Sequence, residues 1–547
     1  PWDEREDLTE HFIFTIDPPD AKDFDDAISI VQDEESGSWT LGVHIADVSH
    51  FVSPGSAIDV EGRERGNSAY LPRLTLPMLP EALSNGVCSL QEGVNRFAKS
   101  AYIEFDRRGR VLSQSLRSTV IRSAKRLTYL EAQALIDGNE REARKHARTQ
   151  PAYSPELIET LRRADELARV LRKRRQDEGL ISLNLPEVEL VFDDEGHVID
   201  ARPEDDAFTH TIIEMFMVEA NEALARVFAD LDVPLIRRIH PDPVHGDIEE
   251  LRTFARLANF RLPDEPGRND VQALLNATRD TPAARAIHFA VLRTLSKAVY
   301  SPALIGHYAL ASEHYTHFTS PIRRYPDLTV HRVMQAYLDH TDNGRSVPGG
   351  RKRRQLAERL AEDSRVLDEA DLIELGRHCS DTESAAEDAE RELRTVLVLQ
   401  LLEEKHLGDE FEAIVTGFSG AGVFVSLERF LVDGMVRTQD LPSSGNRADR
   451  WERNESNGTM VAQRSGSIIG LGDRIRVQIA AISLAERRMD LLIVELAARE
   501  EGAGGAVVRD IVGRKERASG GRRPTRTTGK DGKRKGYKQG RRGRRGR

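Results

Sequence analysis

Cysteine is scarce in this chain of 547 residues, which contains only Cys88 and Cys379. Two thiols are too few for a disulfide framework or a four-thiolate zinc site, so we expect a reducing, cytoplasmic environment. We expect Cys88 to pack as a small buried apolar side chain. No apolar run approaches the roughly 20 residues that a membrane-spanning helix needs, so we expect no membrane partner. Residues 1–4 include two acidic side chains and no basic one, which is not the pattern of a secretory signal.

Positive charge is in deficit overall and unevenly placed. The chain has 79 Lys and Arg against 90 Asp and Glu. Residues 509–547 hold 17 Lys and Arg and three acidic residues, a net charge of +14, which leaves −25 for residues 1–508. This glycine-rich segment has too few apolar residues to offset the entropy of ordering, so we expect residues 497–547 to be disordered. Arginine clusters displace counterions from phosphates, which predicts a nucleic-acid tether; a solubilising tail is the alternative.

Residues 1–400 alternate between strand-like and helix-like patterns, with most of the strands early in the chain. Strand patterns and turn residues predict strands at 11–16, 27–31, 39–48, 98–105 and 111–121. Caps and helical spacing predict helices at 128–138, 154–179 and 210–230, one that begins at Ser320 and Pro321, and a long charged helical region at 351–404. The pattern indicates an α+β domain in which a mixed sheet is surrounded by helices.

Residues 405–496 have a different character, with short strand patterns punctuated by glycine. The strand candidates are residues 411–418, 422–427, 434–437, 474–483 and 489–494. Five short strands in a segment of this length predict a small all-β Greek-key barrel such as an OB-fold. Residues 443–467 are polar and rich in turn formers, which predicts a long loop within this barrel.

The most informative segment is an acidic one at residues 15–27. It contains five aspartates within ten residues: Asp17, Asp20, Asp23, Asp25 and Asp26. Pro18 and Pro19 exclude a regular helix or a central strand, so the chain must form a loop between two strands. Crowded carboxylates repel one another, and a hard divalent cation with oxygen ligands offsets that repulsion; Mg²⁺ suits a site shared with substrate phosphates. The alternative is a solvated acidic turn.

A second segment, residues 317–327, supplies positive charge. A carboxylate-bound metal pair can activate water and stabilise an in-line phosphoryl displacement, and phosphodiester hydrolysis by this route needs a further cation near the phosphate. Ser320 can cap a helix with Pro321 at its first position, so backbone N–H groups and Arg323 are predicted to face one anion. The alternative is a capped surface helix on which Arg323 and Arg324 are solvated.

Together these segments closely resemble the catalytic domain of the ribonuclease II and ribonuclease R family, and the ribonuclease R branch most closely. The matching motifs follow the family's order over residues 12–395: Asp17-x5-Asp23-x-Asp25-Asp26, then HIADVS at 44–49, YLP at 70–72, PMLP at 77–80, LS at 83–84, CSL at 88–90 and HFTSPIRRY at 317–325. Residues 407–495 resemble the OB-type RNA-binding module (the ribosomal S-one type) that follows in this family. We therefore expect a catalytic domain of the RNB fold at 1–400, an OB barrel at 405–496 and a basic tail at 497–547.

The resemblance implies a processive, hydrolytic 3′→5′ exoribonuclease of the ribonuclease II type. Such an enzyme degrades single-stranded RNA, including structured RNA with a 3′ overhang, to nucleoside 5′-monophosphates. It depends on Mg²⁺, with two ions expected at the site and Mn²⁺ as a substitute, and it is usually a monomer. The basic tail is then expected to bind structured RNA or the ribosome.

The resemblance also assigns chemical roles residue by residue. Asp17, Asp23, Asp25 and Asp26 correspond to metal ligands. Asp25 is the carboxylate whose loss is expected to damage the chemical step most. Arg323 corresponds to the cation on the scissile phosphate.

Other residues are implied to hold the RNA. Tyr70 resembles the aromatic residue that stacks on the 3′-terminal base, as suits binding without sequence preference. Tyr129 and Glu214 resemble residues near the terminal ribose, whose 2′-hydroxyl distinguishes RNA from DNA. Arg324 and, on the second domain, Phe424 are expected to contact RNA as well. Ordinary packing is the alternative for both tyrosines.

Two features depart from the family. Leu183 stands where an aromatic residue commonly closes the clamp around the base. Without the aromatic ring, a stacking contribution of ~1–3 kcal/mol per base is weakened. Cold-shock domains that normally precede the catalytic domain are not part of this sequence, having been removed or being absent from this member. Filtering of substrates by an N-terminal channel is therefore not assumed.

Three other interpretations of the residues concern zinc, endonucleolytic cleavage and binding without catalysis. The histidines His44, His50, His210, His314 and His317 lack the spacing of a zinc site, so we expect them to be structural or to face RNA. An endonuclease or another metal phosphodiesterase would use the same aspartates but cleave circular RNA, which an exonuclease leaves intact. A noncatalytic RNA-binding protein would consist of the barrel and the tail.

Overall fold

The computed structural model describes residues 2–183, 188–203, 205–243, 245–257, 260–279, 281, 284–442, 449–454 and 459–496. All of these lie in the first of two units, residues 1–508; the second unit is residues 509–547. The disorder predicted for residues 497–547 therefore concerns residues outside the described part of the chain.

The N-terminal part of the chain contains seven strands. In chain order these are β1 (Glu6–Asp17), β2 (Asp26–Gln32), β3 (Trp39–Ala46), β4 (Ala69–Leu71), β5 (Leu74–Leu76), β6 (Asn95–Phe105) and β7 (Val111–Thr128). Five of them form a closed barrel in the order β1-β2-β3-β6-β7, and β4 pairs with β5 in a separate hairpin. All five strands predicted from alternation are present, and each barrel strand covers most or all of its predicted span.

The barrel closes because β7 is long enough to serve two neighbours. Its 18 residues pair antiparallel with β6 from Val111 to Arg122 and parallel with β1 from Thr119 to Thr128. The sheet is mixed, as predicted, but it closes on itself rather than staying open. The parallel ladder also brings the carboxyl ends of β1 and β7 side by side, with Asp17 opposite Thr128.

Helices surround this barrel and link it to the rest of the chain. They are α1 (Ala57–Arg65), α2 (Tyr129–Ile136), α3 (Glu140–His146), α4 (Pro155–Asp177), α5 (Phe208–Leu231), α6 (His245–Leu257), α7 (Arg268–Thr278), α8 (Ala284–Thr294), α9 (Tyr325–His340), α10 (Arg351–Ala361) and α11 (Glu369–Lys405). Two small antiparallel sheets interrupt them. One is the hairpin of β8 (Val188–Phe192) and β9 (Val198–Pro203); the other pairs β10 (Arg237–Ile239) with β11 (Val299–Ser301), on either side of α6, α7 and α8 in the chain. The helices predicted at 128–138, 154–179 and 210–230 are confirmed as α2, α4 and α5.

The prediction that a helix begins at Ser320 and Pro321 is wrong. Residues 321–323 form a turn, and α9 begins at Tyr325 after an extended Arg324. The physical reason is Pro326. In a helix that began at Ser320, the ring of Pro326 would clash with the carbonyl four residues earlier, whereas the first turn of a helix tolerates proline because its N–H groups are unpaired there.

The charged helical region predicted at 351–404 consists of two helices. Helix α10 ends at Ala361, and α11 begins after Asp368, whose carboxylate accepts the N–H of Asp371 at 2.8 Å. An aspartate in this position satisfies one of the unpaired N–H groups of the first turn.

In the described residues after α11 there are eight strands. They are β12 (Glu410–Phe418), β13 (Gly422–Leu427), β14 (Asp433–Arg437), β15 (Trp451–Asn454), β16 (Thr459–Ala462), β17 (Ile468–Gly470), β18 (Arg474–Ser483) and β19 (Arg488–Leu496). The five predicted strands form a second closed barrel, in the order β12-β13-β14-β19-β18. The loop predicted at 443–467 is wrong in part, because β15 and β16 join β17 in a three-stranded sheet. The remainder of that loop includes residues 443–448 and 455–458, which are outside the described residues.

Helix α11 connects the two barrels through their cores. Near its start, Leu375 and Cys379 pack in the cluster that fills the first barrel and its helices. Near its end, Val398 and Leu402 pack in the cluster of the second barrel. Cys88 is buried in the first cluster, as expected. Within the described residues, no helix is both long and apolar enough to cross a membrane.

Candidate active site

The acidic loop runs between the end of β1 at Asp17 and the start of β2 at Asp26, and Arg126 on β7 holds its first half. The guanidinium Nη2 of Arg126 donates to the backbone oxygens of Pro18 and Pro19, both at 3.0 Å. The same guanidinium lies 5.0 Å from the ring centroid of Phe24, on the second half of the loop. Proline has no backbone N–H, so this segment cannot be held by the hydrogen bonds of a β-sheet. The Arg126 side chain holds it instead, by donating to the two proline carbonyl oxygens.

Ser89 holds the second half of the loop. Its hydroxyl donates to the backbone oxygen of Lys22 at 2.7 Å and accepts the N–H of Phe24 at 3.1 Å. The N–H of Leu90 donates to the oxygen of Phe24 at 3.0 Å. Three hydrogen bonds from residues 89–90 thus fix the backbone on both sides of Asp23 and before Asp25. Sequence reasoning found this segment as a motif but gave it no role.

Asp25 joins the acidic loop to the arginine segment 297 residues away in the chain. Its Oδ1 accepts the N–H of Ile322 at 3.0 Å, and its Oδ2 lies 3.6 Å from Nε of Arg323. The side chain is buried, and burial raises the pKa of this carboxyl well above its usual range, although Arg323 and the Ile322 hydrogen bond oppose the shift. The predicted meeting of the two segments is present, with the backbone N–H directed at Asp25.

Asp17 and Asp26 form a pair of carboxylates with excess negative charge. Burial, and then the charge of Asp26, raise the pKa of Asp17 well above its usual range. Burial raises the pKa of Asp26 to about 6, against the opposing charges of Arg323 and Arg324. Oδ2 of Asp17 is buried without a hydrogen-bond partner among the described residues. A carboxylate oxygen in this state needs either a proton or a cation.

All five aspartates of the loop line one cavity of about 730 Å³, together with Tyr70, Tyr129, Ser320 and Arg323. The structure therefore brings together the four predicted metal ligands, the predicted phosphate cation and both predicted tyrosines. In the part of the chain that the structure describes, no group of three or more His, Cys, Asp or Glu side chains is arranged to hold a metal ion. The carboxylates share a cavity without forming a closed cage.

Tyr70 enters this cavity from the β4–β5 hairpin. Its hydroxyl donates to Oδ2 of Asp23 at 2.8 Å, and its side chain stays partly exposed. Burial raises the pKa of the Tyr70 phenol, and the charge of Asp23 raises it further. The Asp23 carboxylate thus fixes the hydroxyl end of Tyr70, and 38% of the residue stays exposed.

Tyr129 reaches the same cavity because it follows Thr128, the partner of Asp17 in the parallel ladder. Thr128 caps α2: its hydroxyl accepts the N–H of Glu131, whose carboxylate accepts the N–H of Thr128. This capping box fixes the direction in which α2 leaves the barrel. Burial raises the pKa of the Tyr129 phenol, and the nearby charges of Asp26 and Asp17 raise it further.

Three of the predicted RNA contacts lie outside the residues that line the cavity. Glu214 is exposed on α5. The guanidinium of Arg324 donates to Oδ1 of Asp327 at 2.7 Å and is largely buried. Phe424 lies on β13 of the second barrel and is 39% exposed. Leu183 is partly buried against the cluster formed by α6, α7 and α8.

Asp327 is a further residue that sequence reasoning did not single out. It is fully buried in α9, and its Oδ1 accepts the N–H of Ser320 at 2.8 Å in addition to the Arg324 guanidinium. Both bonds hold the turn that carries Ile322 and Arg323. The sequence signal for Asp327 is its position directly after Pro326 and about one helical turn after Arg323 and Arg324. The predicted helix start at Ser320 placed it in the interior of a helix instead.

The predicted histidines have separate surroundings. His44 is buried inside the first barrel, where its ring nitrogens share hydrogen bonds with the hydroxyls of Ser29 and Ser100 at 3.0 and 2.7 Å. His317 shares a hydrogen bond with the hydroxyl of Tyr300 at 2.9 Å. Such contacts are typical of structural histidines.

Comparison with known proteins now defines the class. The model of the RNB domain matches residues 5–340, and the chain belongs to the RNB-domain family. Ribonuclease R of Thermotoga maritima is 35% identical over 496 residues, which cover 90% of this chain and 65% of that protein. Ribonuclease R of Escherichia coli strain K12 is 33% identical over 496 residues, which cover 90% of this chain and 57% of that protein. The chain thus spans less than two thirds of the length of these curated relatives.

A solved structure of a ribonuclease R has a similar fold. The structure of Mycoplasma genitalium RNase R in complex with ribose methylated single-stranded RNA superposes with a TM-score of 0.77 and 28% identity. The match covers 90% of this chain and 72% of that chain. The resemblance to the ribonuclease II and ribonuclease R family, which the motifs indicate, is confirmed.

Proposed function

We propose that this protein is a processive 3′→5′ exoribonuclease of the ribonuclease II type that hydrolyses RNA to nucleoside 5′-monophosphates. The observation that carries the proposal is the hydrogen bond from the N–H of Ile322, next to Arg323, to Oδ1 of Asp25. It lies at a cavity that all five aspartates of the acidic loop line. It sets buried carboxylates beside a cation, which is the combination that phosphodiester hydrolysis requires. The ribonuclease R relatives and the RNA-bound structure of Mycoplasma genitalium RNase R support an exoribonuclease of this family.

The aspartates of the cavity fit Mg²⁺. Oδ2 of Asp17 is buried and, among the described residues, unpartnered, and burial together with the charge of Asp26 raises the pKa of Asp17. Mg²⁺ usually takes one or two carboxylates and completes its shell with water and substrate phosphates, so it does not need a three-residue cage. We therefore assign Asp17, Asp23, Asp25 and Asp26 as the residues that would hold two Mg²⁺, or Mn²⁺ in their place. When bound, the metal supplies an activated water and charge stabilisation at the phosphate.

The side chains themselves bind and orient the strand. Arg323 keeps 45% of its side chain exposed at the cavity, so its guanidinium can meet a phosphate while Nε stays near Asp25. Tyr70 is partly exposed at the cavity, where its ring would stack on the 3′-terminal base whatever that base is. Tyr129 stands beside Asp17 and Asp26, where a terminal sugar would lie next to a phosphate at the carboxylates.

The rest of the chain extends the binding surface in this proposal. Phe424 on the second barrel presents an exposed ring, as OB-type modules do for stacking. The basic segment 509–547 would add a sequence-independent contact with structured RNA or the ribosome. We propose that the protein acts as a monomer in the cytoplasm on single-stranded RNA, including structured RNA with a 3′ overhang.

A product analysis tests the proposal. A 5′-labelled RNA with a 3′ overhang and a circular RNA of the same sequence are incubated with the protein and Mg²⁺, or with a chelator. We expect shortening from the 3′ end with release of 5′-monophosphates, no cleavage of the circle and no reaction with the chelator. Cleavage of the circle would instead identify an endonuclease, and absence of any cleavage would identify a binding protein.

A further inference from the structure

Tyr129 is held by the first turn of α5 in two ways. Its ring is stacked on the ring of His210, with centroids 3.8 Å apart and planes inclined by 21°. Its backbone oxygen accepts a hydrogen bond from the hydroxyl of Thr209 at 2.9 Å. Thr209 is buried, so this second contact anchors the residue rather than the ring. The direction of the Tyr129 ring is therefore set by His210.

His210 is itself fixed by a neighbour before the helix. Its Nε2 shares a hydrogen bond with Oδ1 of Asp205 at 3.0 Å. The two side chains are 37% and 36% exposed, so the pair lies at the surface beside the cavity rather than in the core. A ring that is stacked on one face and hydrogen-bonded at its edge keeps one orientation, and it passes that orientation to Tyr129.

The hydroxyl of Tyr129 is available to a ligand. Tyr70, the other tyrosine of the cavity, directs its hydroxyl to Asp23, whereas among the described residues the Tyr129 hydroxyl has no hydrogen-bond partner. A phenol can donate and accept, which suits a sugar hydroxyl. The 2′-hydroxyl is the group that separates RNA from DNA at a given position.

We propose that His210 is a specificity-determining positioning residue, which holds the Tyr129 phenol against the sugar of the 3′-terminal nucleotide so that the site prefers ribose to deoxyribose. This inference rests on the proposed function and deepens it. His210 does not touch the substrate in this account; it acts through Tyr129, and Asp205 supports it.

The test uses two 5′-labelled oligoribonucleotides that differ only in the terminal 3′ sugar, ribose in one and 2′-deoxyribose in the other. The quantity measured is the ratio of kcat/KM for the two. His210→Ala removes the stack and is expected to lower this ratio by about fivefold to tenfold, the upper part of the range for an aromatic pair. His210→Phe keeps the stacked ring but loses the hydrogen bond with Asp205, so it is expected to recover part of the ratio, between the His210→Ala value and the wild-type value.

A surface histidine that forms a similar pair provides the matched control. His197 lies 3.6 Å from Asp193 in the β8–β9 hairpin, and its side chain is 67% exposed. His197→Ala is expected to leave the ratio unchanged. Thermal unfolding of each variant checks that His210→Ala acts through the ring rather than through loss of folded protein.

A second readout separates this inference from the proposed function. The same two oligonucleotides are titrated by fluorescence anisotropy into Asp25→Asn protein, with and without His210→Ala, and the ratio of their Kd values is taken. If the wild-type protein does not hydrolyse RNA, the proposed function fails, yet the Kd ratio still reports on His210. An unchanged ratio in His210→Ala, or a His210→Phe variant that behaves like His210→Ala, would overturn the inference.

Discussion

Loss of the Ser89 hydroxyl should lower both the stability and the activity of this protein. Ser89 is fully buried, and its hydroxyl donates to the oxygen of Lys22 and accepts the N–H of Phe24. Ser89→Ala leaves the N–H of Phe24 without this partner in a buried place, and the oxygen of Lys22 without it in a partly buried one. Each unsatisfied buried group costs about 1–3 kcal/mol, so we expect the free energy of unfolding to fall by about 2–3 kcal/mol after partial relaxation.

The same change should affect catalysis because the freed segment carries Asp23 and Asp25. A displacement of a reacting group by about 1 Å can lower a rate by about 10²-fold, so we expect kcat to fall by about tenfold to a hundredfold. Stability is measured by urea unfolding, and kcat by release of 5′-monophosphate from labelled RNA at saturating substrate. Substrate affinity should change little, because the base and the distal phosphates meet other residues.

Thr341 provides a matched control for Ser89. It is also buried, and its hydroxyl donates to the oxygen of Tyr337 at 2.7 Å and accepts the N–H of Gly344 at 3.1 Å, outside the cavity. Thr341→Val should lower stability by a similar amount and leave kcat within about twofold, because no reacting group is moved. The reasoning is refuted if Ser89→Ala keeps the wild-type kcat, or if both variants lose activity equally.

Three further predictions concern charge. Arg323→Gln should lower kcat by about 10²–10³-fold, because a cation at the phosphate is lost; single-turnover kinetics checks this, and an unchanged rate would contradict the role. Deletion of residues 509–547 should weaken RNA binding and reduce the dependence of log Kd on log salt concentration; an unchanged slope would make the tail a spectator. Burial lowers the pKa of His331 from its ordinary value of 6.5 to about 4, so the folded state binds fewer protons than the unfolded state as pH falls between these values. Stability should therefore fall over that range, by up to about 1.4 kcal/mol per pH unit for this group; His331→Gln should show a shallower dependence in urea unfolding, and an equal dependence would contradict the assignment.

Much of the fold could be predicted because its signals are local. Alternation identified the barrel strands, Thr128 identified the start of α2, and the prolines at 18–19 identified the acidic loop. Closure of the first barrel was not local. It depends on the parallel pairing of β1 with β7, which ends at Asp17 and Thr128. No short sequence pattern connects two strands so far apart in the chain.

The error at Ser320 shows how two local signals compete. Ser320 and Pro321 form a normal helix start, but Pro326 is incompatible with a helix that is already under way. Pro326 therefore moves the start of α9 to Tyr325, where the proline falls in the first turn. The consequence matters for the site, since it is the turn at 321–323 that presents the N–H of Ile322 to Asp25.

The candidate site divides in the same way. The residue types and their order predicted which carboxylates and which arginine meet, and the cavity contains them. The supporting contacts of Arg126, Ser89 and Asp327 were not predictable, because each is a single hydrogen-bonding side chain far from the loop in sequence. The role of each of these three side chains depends on which backbone groups the fold brings next to it, and the residue type alone does not reveal that.

The most direct test of the central claim is a comparison of Asp25→Asn with the wild-type protein in single-turnover release of the 3′-terminal nucleotide, with RNA affinity measured on the same preparations. Asparagine keeps the shape of the side chain and can still accept the N–H of Ile322, but it lacks the charge that a metal ion requires. We expect affinity within a few-fold of wild type and release slowed by at least about 10³-fold, as for loss of a principal electrostatic group. Release at the wild-type rate by Asp25→Asn would contradict the account.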